Sequence, residues 1–186
     1  MAAQAAALAS VNGLAGITLS QVADALDMSK SSVQAAYATK EEIQLAAVGA
    51  ASDIFVAAIV TPAQGQPEGL PRLQSLIESW LGYVERRVFP GGCFMVATLS
   101  EFDSRPGAVR DALGRARRGW LALLERQVAV AQSAGDVPSS PPAAMLAFEI
   151  DALLSSANIS RNLSGETTPL QVARDLIAMR LVGTSH

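Results

Sequence analysis

The chain has 186 residues, of which 50% are hydrophobic and 17% charged, with a formal net charge of −3. This apolar content excludes an intrinsically disordered chain and supports a sizeable core, and the negative charge argues against nucleic-acid binding through bulk charge. A single cysteine, Cys93, and a single histidine, His186, exclude an internal disulfide and a multi-cysteine zinc site, so we expect no metal, no cofactor and no catalytic residues.

The first part of the chain has no targeting signal that we can identify. Its first 23 residues carry no charged side chain, but they lack the basic segment of a signal peptide and are interrupted by polar residues. We also find no apolar run of the roughly 18 residues that a membrane helix needs. The expectation is a soluble, cytoplasmic protein that does not contact a membrane.

Four helices are predicted in the first third of the chain. An Ala-rich helix over residues 2–11 ends at Asn12-Gly13. Thr18 and Gln21 form a capping box for a helix with apolar residues at i, i+3, i+4 and i+7. After a turn at Asp27-Met28, Ser29 caps a helix over residues 30–36, and a second capping box, Thr39 with Glu42, starts a long helix to about residue 60.

Five further helices follow. A loop rich in proline and glycine covers residues 61–71, and Pro106 suits the first turn of the seventh helix. The predicted helices are 70–89, 93–102, 106–134, 143–162 and 170–182. No segment alternates as a strand does, so the sequence predicts an all-α protein with about nine helices.

The two short helices over residues 18–36 fit a helix-turn-helix, whose second helix lies in the DNA major groove. Val22, Ala23, Leu26 and Val33 can pack the pair, and the small side chains of the second helix let it enter the groove. Lys30 and Lys40 are either phosphate ligands or solvated lysines, Tyr37 either binds phosphate or fills the helix junction, and Gln34 either reads a base or is an ordinary surface residue. The DNA-binding candidates are Thr18, Lys30, Ser31, Ser32, Gln34, Tyr37 and Lys40.

The segment "TLSQVADALDMSKSSVQAAYATKEEIQLAAV", residues 18–48, resembles the DNA-binding head of TetR-family transcriptional regulators. "FPGGCF" and "EFDSRPGAVRD" also resemble segments of some of these regulators. The resemblance implies a homodimeric repressor with a helix-turn-helix domain over residues 1–46 and a ligand-binding and dimerisation domain over residues 47–186. It further implies a double-stranded DNA operator, a small-molecule inducer that shifts the long fourth helix, and a dimer formed by the last two helices.

The head departs from the family pattern at several positions, and Gln34, Ala35 and Ala36 stand where relatives often carry an aromatic or basic side chain. Asp27 stands in the turn where family members usually have glycine, and residues 1–46 contain two lysines, no arginine and four acidic residues. This composition predicts weak phosphate binding and a shallow salt dependence. The alternative function is therefore a helical protein of the same fold that binds a ligand or partner with weak or lost operator binding. An enzyme using carboxylates or Cys93 is a more distant alternative.

Large and aromatic side chains of the body are candidates to line an apolar inducer pocket, although any single one can equally be a core residue. The ligand-binding candidates are Trp80, Tyr83, Phe94, Met95, Trp120, Phe148 and Asn158, with Arg161 as a further polar contact. We interpret Cys93 as a buried hydrophobe, and Glu101 and Asp103 as surface residues. The apolar density of the last two helices indicates a dimer, or else the core of a monomer.

Overall fold

The computed structural model describes residues 1–182, so His186 lies outside the described part of the chain. Over this range the fold is all-helical, with nine helices and no strand, as predicted. The helices are α1 Ala2–Asn12, α2 Leu19–Ala25, α3 Lys30–Ala36, α4 Lys40–Ala63, α5 Leu70–Glu85, α6 Phe94–Phe102, α7 Ala108–Ala134, α8 Ala143–Ser164 and α9 Thr168–Val182.

Helix α4 is continuous but not uniform. It is α-helical over Lys40–Phe55, π-helical over Val56–Val60 and ends with the short turn Thr61–Ala63. It is the one helix among residues 1–182 that is long and apolar enough to cross a membrane by length and composition, so our prediction of no such segment was wrong. Its residues Ile43, Ala47 and Ala51 are buried within the protein, and this packing accounts for part of its apolar composition.

The first of two compact units contains Met1–Phe55 and Arg87–Ala116. Helix α1 packs along the first part of α4 and also contacts α6, while α2 packs against α3. The core of this unit is built from small and branched side chains, because α1 contributes alanines and the loop after it contributes Leu14 and Ile17, all fully buried. Helices α2 and α3 are held to the unit through Val22 and Val33, which are also fully buried.

The second unit contains Val56–Arg86 and the described chain from Arg117 onward. Helices α8 and α9 pack against each other, and α5 contacts both of them. Two surface ion pairs link these helices, Arg174 to Glu78 at 2.8 Å and Arg180 to Glu149 at 2.7 Å. The hydrogen bonds that Arg174 donates to the Glu78 carboxylate raise the pKa of its guanidinium, although exposed pairs of this kind add little to stability.

The predictions that agree best with the structure are those of helix ends and turns marked by a local sequence signal. Gly13 ends α1 with a φ of 78°, and Asp27 adopts a left-handed φ of 51° in the turn before α3. Several helix ends differ from prediction by two to four residues, and for two of them the backbone gives the reason. Helix α5 stops at Glu85 because Arg87 turns the chain with a φ of 51°, and α7 starts at Ala108 because Gly107, with a φ of 145°, separates it from Pro106.

Candidate nucleic-acid interface and ligand site

Helices α2 and α3 are each fixed at their N-termini by the predicted caps. The Thr18 hydroxyl accepts a hydrogen bond from Gln21 N at 3.2 Å, and the Gln21 side chain accepts one from Thr18 N at 2.8 Å. The Ser29 hydroxyl accepts a hydrogen bond from Ser32 N at 3.1 Å. Each cap satisfies backbone donors that a short helix would otherwise expose, so both short helices have defined starts despite their length of 7 residues.

The outer surface of α3 carries the predicted base-reading residues. Val33 is fully buried and anchors the helix, whereas the other six positions, Lys30, Ser31, Ser32, Gln34, Ala35 and Ala36, are exposed. The Ser31 and Ser32 hydroxyls lie 2.9 and 2.7 Å from Ser29 Oγ. This surface is narrow and polar at its start, with methyl groups at its end, which suits contact with base edges in a major groove.

The other candidates of this group lie at the ends of neighbouring elements. Thr18 is the exposed N-cap of α2, and Tyr37 is the half-buried residue that ends α3. The Lys40 ammonium, at the start of α4, donates a hydrogen bond to Ala15 O at 2.6 Å. A phosphate at this position would compete with that carbonyl, so Lys30 is the less encumbered of the two lysines.

The loop between α1 and α2 is held by side chains that are distant in sequence. The Glu101 carboxylate, on α6, accepts hydrogen bonds from Leu14 N at 2.9 Å and Ala15 N at 2.8 Å. The buried Gln44 amide donates to Leu14 O at 2.9 Å. The interpretation of Glu101 as a surface residue was wrong, because its carboxylate binds the backbone of this loop; no signal near residue 101 indicates a partner so far along the chain.

The seven predicted ligand-binding residues are divided among different environments. Phe94 and Met95 lie in the first unit, where Phe94 is buried against Phe89 with ring centroids 5.9 Å apart and Met95 is half-buried. Trp80, Tyr83 and Asn158 are buried in the second unit, and Trp120 is half-buried there. Phe148 differs from these because it is 62% exposed on the outer side of α8.

A buried carboxylate connects α7 to α8. Asp151 is 5% exposed; it accepts a hydrogen bond from Trp120 Nε1 at 3.1 Å and pairs with Arg117 Nη2 at 2.7 Å. The charge is therefore compensated by the guanidinium and the indole donor. Sequence reasoning missed Asp151, although a carboxylate within the apolar run "AFEIDALL" is a signal that could have identified it.

Arg161 is a second buried polar group of α8. It is 6% exposed, and its Nη2 donates a hydrogen bond to Glu85 O, the last carbonyl of α5, at 3.0 Å. Asn158, one helical turn earlier, is 2% exposed. Residues 1–182 contain no group of three or more His, Cys, Asp or Glu side chains that could hold a metal ion.

Helices α8 and α9 also carry an exposed apolar face. Eight of the thirteen exposed large hydrophobic residues in the described chain lie on these two helices. They are Met145, Phe148, Ile159, Leu163, Val172, Leu176, Met179 and Val182. Their neighbours Leu146, Ile150, Leu154 and Ile177 are buried within the unit, so the apolar density noted in the sequence serves both an internal core and an outer face.

Comparison with known proteins identifies one matching family model. The sequence model of the family described as "Tetracyclin repressor-like, C-terminal domain" matches residues 69–177, more than half of the chain. None of the curated proteins matches the sequence.

Solved structures are similar over almost the whole chain. A TetR transcriptional regulator from Chloroflexus aurantiacus has a TM-score of 0.86 and 25% identity, covering 95% of this chain and 89% of its own. A TetR-family regulator from Cytophaga hutchinsonii has a TM-score of 0.79 and 20% identity, covering 98% and 94%. AibR, solved in complex with isovaleryl coenzyme A and operator DNA, has a TM-score of 0.80 and 18% identity, covering 98% and 97%.

Proposed function

The chain belongs to the TetR family of ligand-responsive, DNA-binding transcriptional regulators, and from that premise we propose that it is a homodimeric repressor released from its operator by a small, largely apolar molecule. Residues 1–46 would form the DNA-binding domain and residues 47–186 the ligand-binding and dimerisation domain. Gene regulation by such a protein takes place in the cytoplasm, and regulation rather than catalysis would be its role.

The observation that carries this proposal is the exposed face of α3. A short helix with a capped start, one buried anchor in Val33 and six exposed positions has the dimensions that groove binding requires. Lys30 would contact a phosphate and Gln34 would read a base, preferably adenine. AibR, a structural neighbour over 98% of this chain, was solved with operator DNA, which supports the same use of the fold here.

Dimerisation through α8 and α9 is supported by their exposed apolar face. The spacings of Val172, Leu176 and Met179 along α9 are four and three residues, which places them in one stripe suited to a partner helix. Monomeric soluble proteins rarely expose a contiguous apolar surface of this kind. Two copies joined here would present two α3 helices, and an operator with half-sites about 34 Å apart would match them.

Helix α4 is the element we propose to transmit the response. Its first part belongs to the unit that contains α3, and its remainder belongs to the unit that contains α5, α8 and α9. The π-helical stretch Val56–Val60 lies at that junction in sequence, and π-helical turns frequently occur at functional sites. Inducer binding would displace this helix and spoil the spacing of the two α3 helices.

The test is electrophoretic retardation of the promoter DNA adjacent to the protein's own gene. We expect retardation that weakens with salt and is relieved by the inducer. Absence of salt-sensitive retardation with any neighbouring promoter would contradict the proposal. The alternative, a ligand- or partner-binding protein without operator recognition, is favoured by the paucity of cations on the head, and it would give only weak, sequence-independent binding at low salt.

A further inference from the structure

Arg161 is the one cation that the fold buries among residues 1–182. Arg161 is 6% exposed, and the other buried polar residues of this range are uncharged except for Asp151. A guanidinium stays protonated in proteins, so burial cannot neutralise it as it would neutralise a lysine or a carboxyl group. The fold therefore holds a permanent positive charge out of water, and that charge needs compensation.

Only part of this compensation comes from the protein. Arg161 Nη2 donates to Glu85 O at 3.0 Å, at the C-terminal end of α5, where the helix dipole is negative. Arg161 takes part in none of the ion pairs in the described chain. The nearest buried carboxylate on its own helix, Asp151, lies ten residues earlier, about 15 Å along the axis, and is paired with Arg117.

The Arg161 guanidinium keeps two parallel N–H donors that have no acceptor among the described residues. Arg161 Nε and Nη1 are buried and have no hydrogen-bond partner among the described residues. Nη2 carries two N–H groups and uses one for Glu85 O. The second Nη2 N–H group is free within residues 1–182 and lies parallel to an N–H group of either Nε or Nη1. Two parallel N–H donors of this kind match the two oxygens of a carboxylate.

We propose that the inducer is an apolar monocarboxylate whose carboxylate binds Arg161. This inference deepens the proposed function and rests on it. A monoanion matches the single buried cation, whereas a doubly charged phosphate would leave a negative charge uncompensated. An apolar body is favoured because the residues within two helical turns of Arg161 and of Glu85 include Leu154 and Ala157 on α8 and Leu81 and Val84 on α5, all of them buried. The amide of Asn158, one turn before Arg161, adds a polar group to this face.

The binding experiment compares Arg161→Met with the unchanged protein, using octanoate and phenylacetate as probes and their methyl esters as neutral analogues. By calorimetry we expect the unchanged protein to bind at least one of the two acids tenfold or more tightly than its ester. In R161M this preference should disappear while ester binding is retained. Arg118→Met, at an exposed arginine of α7, serves as the control and should behave as the unchanged protein.

Thermal unfolding of the ligand-free protein supplies a second measurement that does not depend on the choice of probe. An uncompensated buried charge opposes folding, so R161M should raise the Tm, by about 2–4 °C for a chain of this size. A lower Tm would show that Arg161 is a structural cap of α5, and this outcome, or equal binding of acids and esters, would overturn the inference. Retardation of operator DNA by the ligand-free protein tests the proposed function separately. If the DNA is still retarded, only the inference about a carboxylate ligand has failed.

Discussion

Gly91 lies against helix α1 at a distance that admits no side chain. A Cβ atom built at this position would overlap the Ser10 carbonyl oxygen, and Gly91 N donates a hydrogen bond to Ser10 Oγ at 3.1 Å. The obstacle is backbone, which cannot rotate away as a side-chain tip can. The loop over residues 90–92 therefore depends on glycine for its contact with the end of α1.

A pair of glycine substitutions tests this contact. Gly91→Ala should lower the free energy of unfolding by about 3 kcal/mol because α1 or the loop must shift. Gly119→Ala is the matched control, since a Cβ in α7 meets nothing within 4 Å and alanine should stabilise the helix by about 0.5–1 kcal/mol. Urea unfolding monitored by circular dichroism gives both values, and equal effects at the two positions would contradict this account.

The Glu101 side chain links α6 to the loop before α2 by hydrogen bonds. Glu101→Ala leaves the Leu14 and Ala15 amides without their acceptors, which should cost about 2 kcal/mol of stability. It should also weaken operator binding, because that loop leads directly into α2. Asp103→Ala is the control, being an exposed carboxylate two residues later. Denaturant unfolding and operator titration should separate the two variants; similar behaviour would show that the loop does not need this carboxylate.

We expect helix α3 to have two roles that substitutions can separate, phosphate contact through Lys30 and base recognition through Gln34. Lys30→Ala should weaken binding to all DNA sequences alike and reduce the salt slope by about 0.9, the contribution of one phosphate contact. Gln34→Ala should instead relax the preference at one base pair, with a loss of about 1–3 kcal/mol for the preferred base. Gln74→Ala, at an exposed glutamine of α5, is the control. Titrations against single-base operator variants at several salt concentrations distinguish these outcomes.

Elements with local signals were predicted well, and those set by distant contacts were not. Ser29 caps α3, and the predicted span of that helix, residues 30–36, agrees with the structure, because a cap acts within one turn. The π-helical stretch Val56–Val60 has no such signal, since its composition equally suits an α-helix. Periodicity also could not separate the buried Ile177 from the exposed Met179, because both faces of α9 are apolar.

The features of the candidate site that could be predicted were likewise those set by local sequence signals. Which side of α3 is exposed could be predicted, because Val33 is the apolar anchor between polar and small residues. The partners of Glu101 and Asp151 could not, since each is a contact between segments far apart in sequence. The individual roles of the predicted DNA- and ligand-binding residues stay predictions.

At the scale of the whole molecule, the apolar face of α8 and α9 should determine the oligomeric state. Met179→Glu places a charge on a residue that is 61% exposed on that face, and a buried unpaired charge at an interface opposes association. We expect the variant to sediment as a monomer at micromolar concentration. Val11→Glu is the control, because Val11 on α1 is 63% exposed but lies outside that face. A dimeric M179E would place the interface elsewhere.

The hydrogen bonds that the Glu101 carboxylate accepts bear on the construction of hybrid regulators. Joining residues 1–46 to the body of another regulator would carry Leu14 and Ala15 across without the carboxylate that binds their amides. The compact unit around this loop is discontinuous, comprising Met1–Phe55 and Arg87–Ala116. A hybrid that transfers both segments, or supplies a glutamate at the equivalent place on the recipient's helix, should retain operator specificity where a single N-terminal graft loses it.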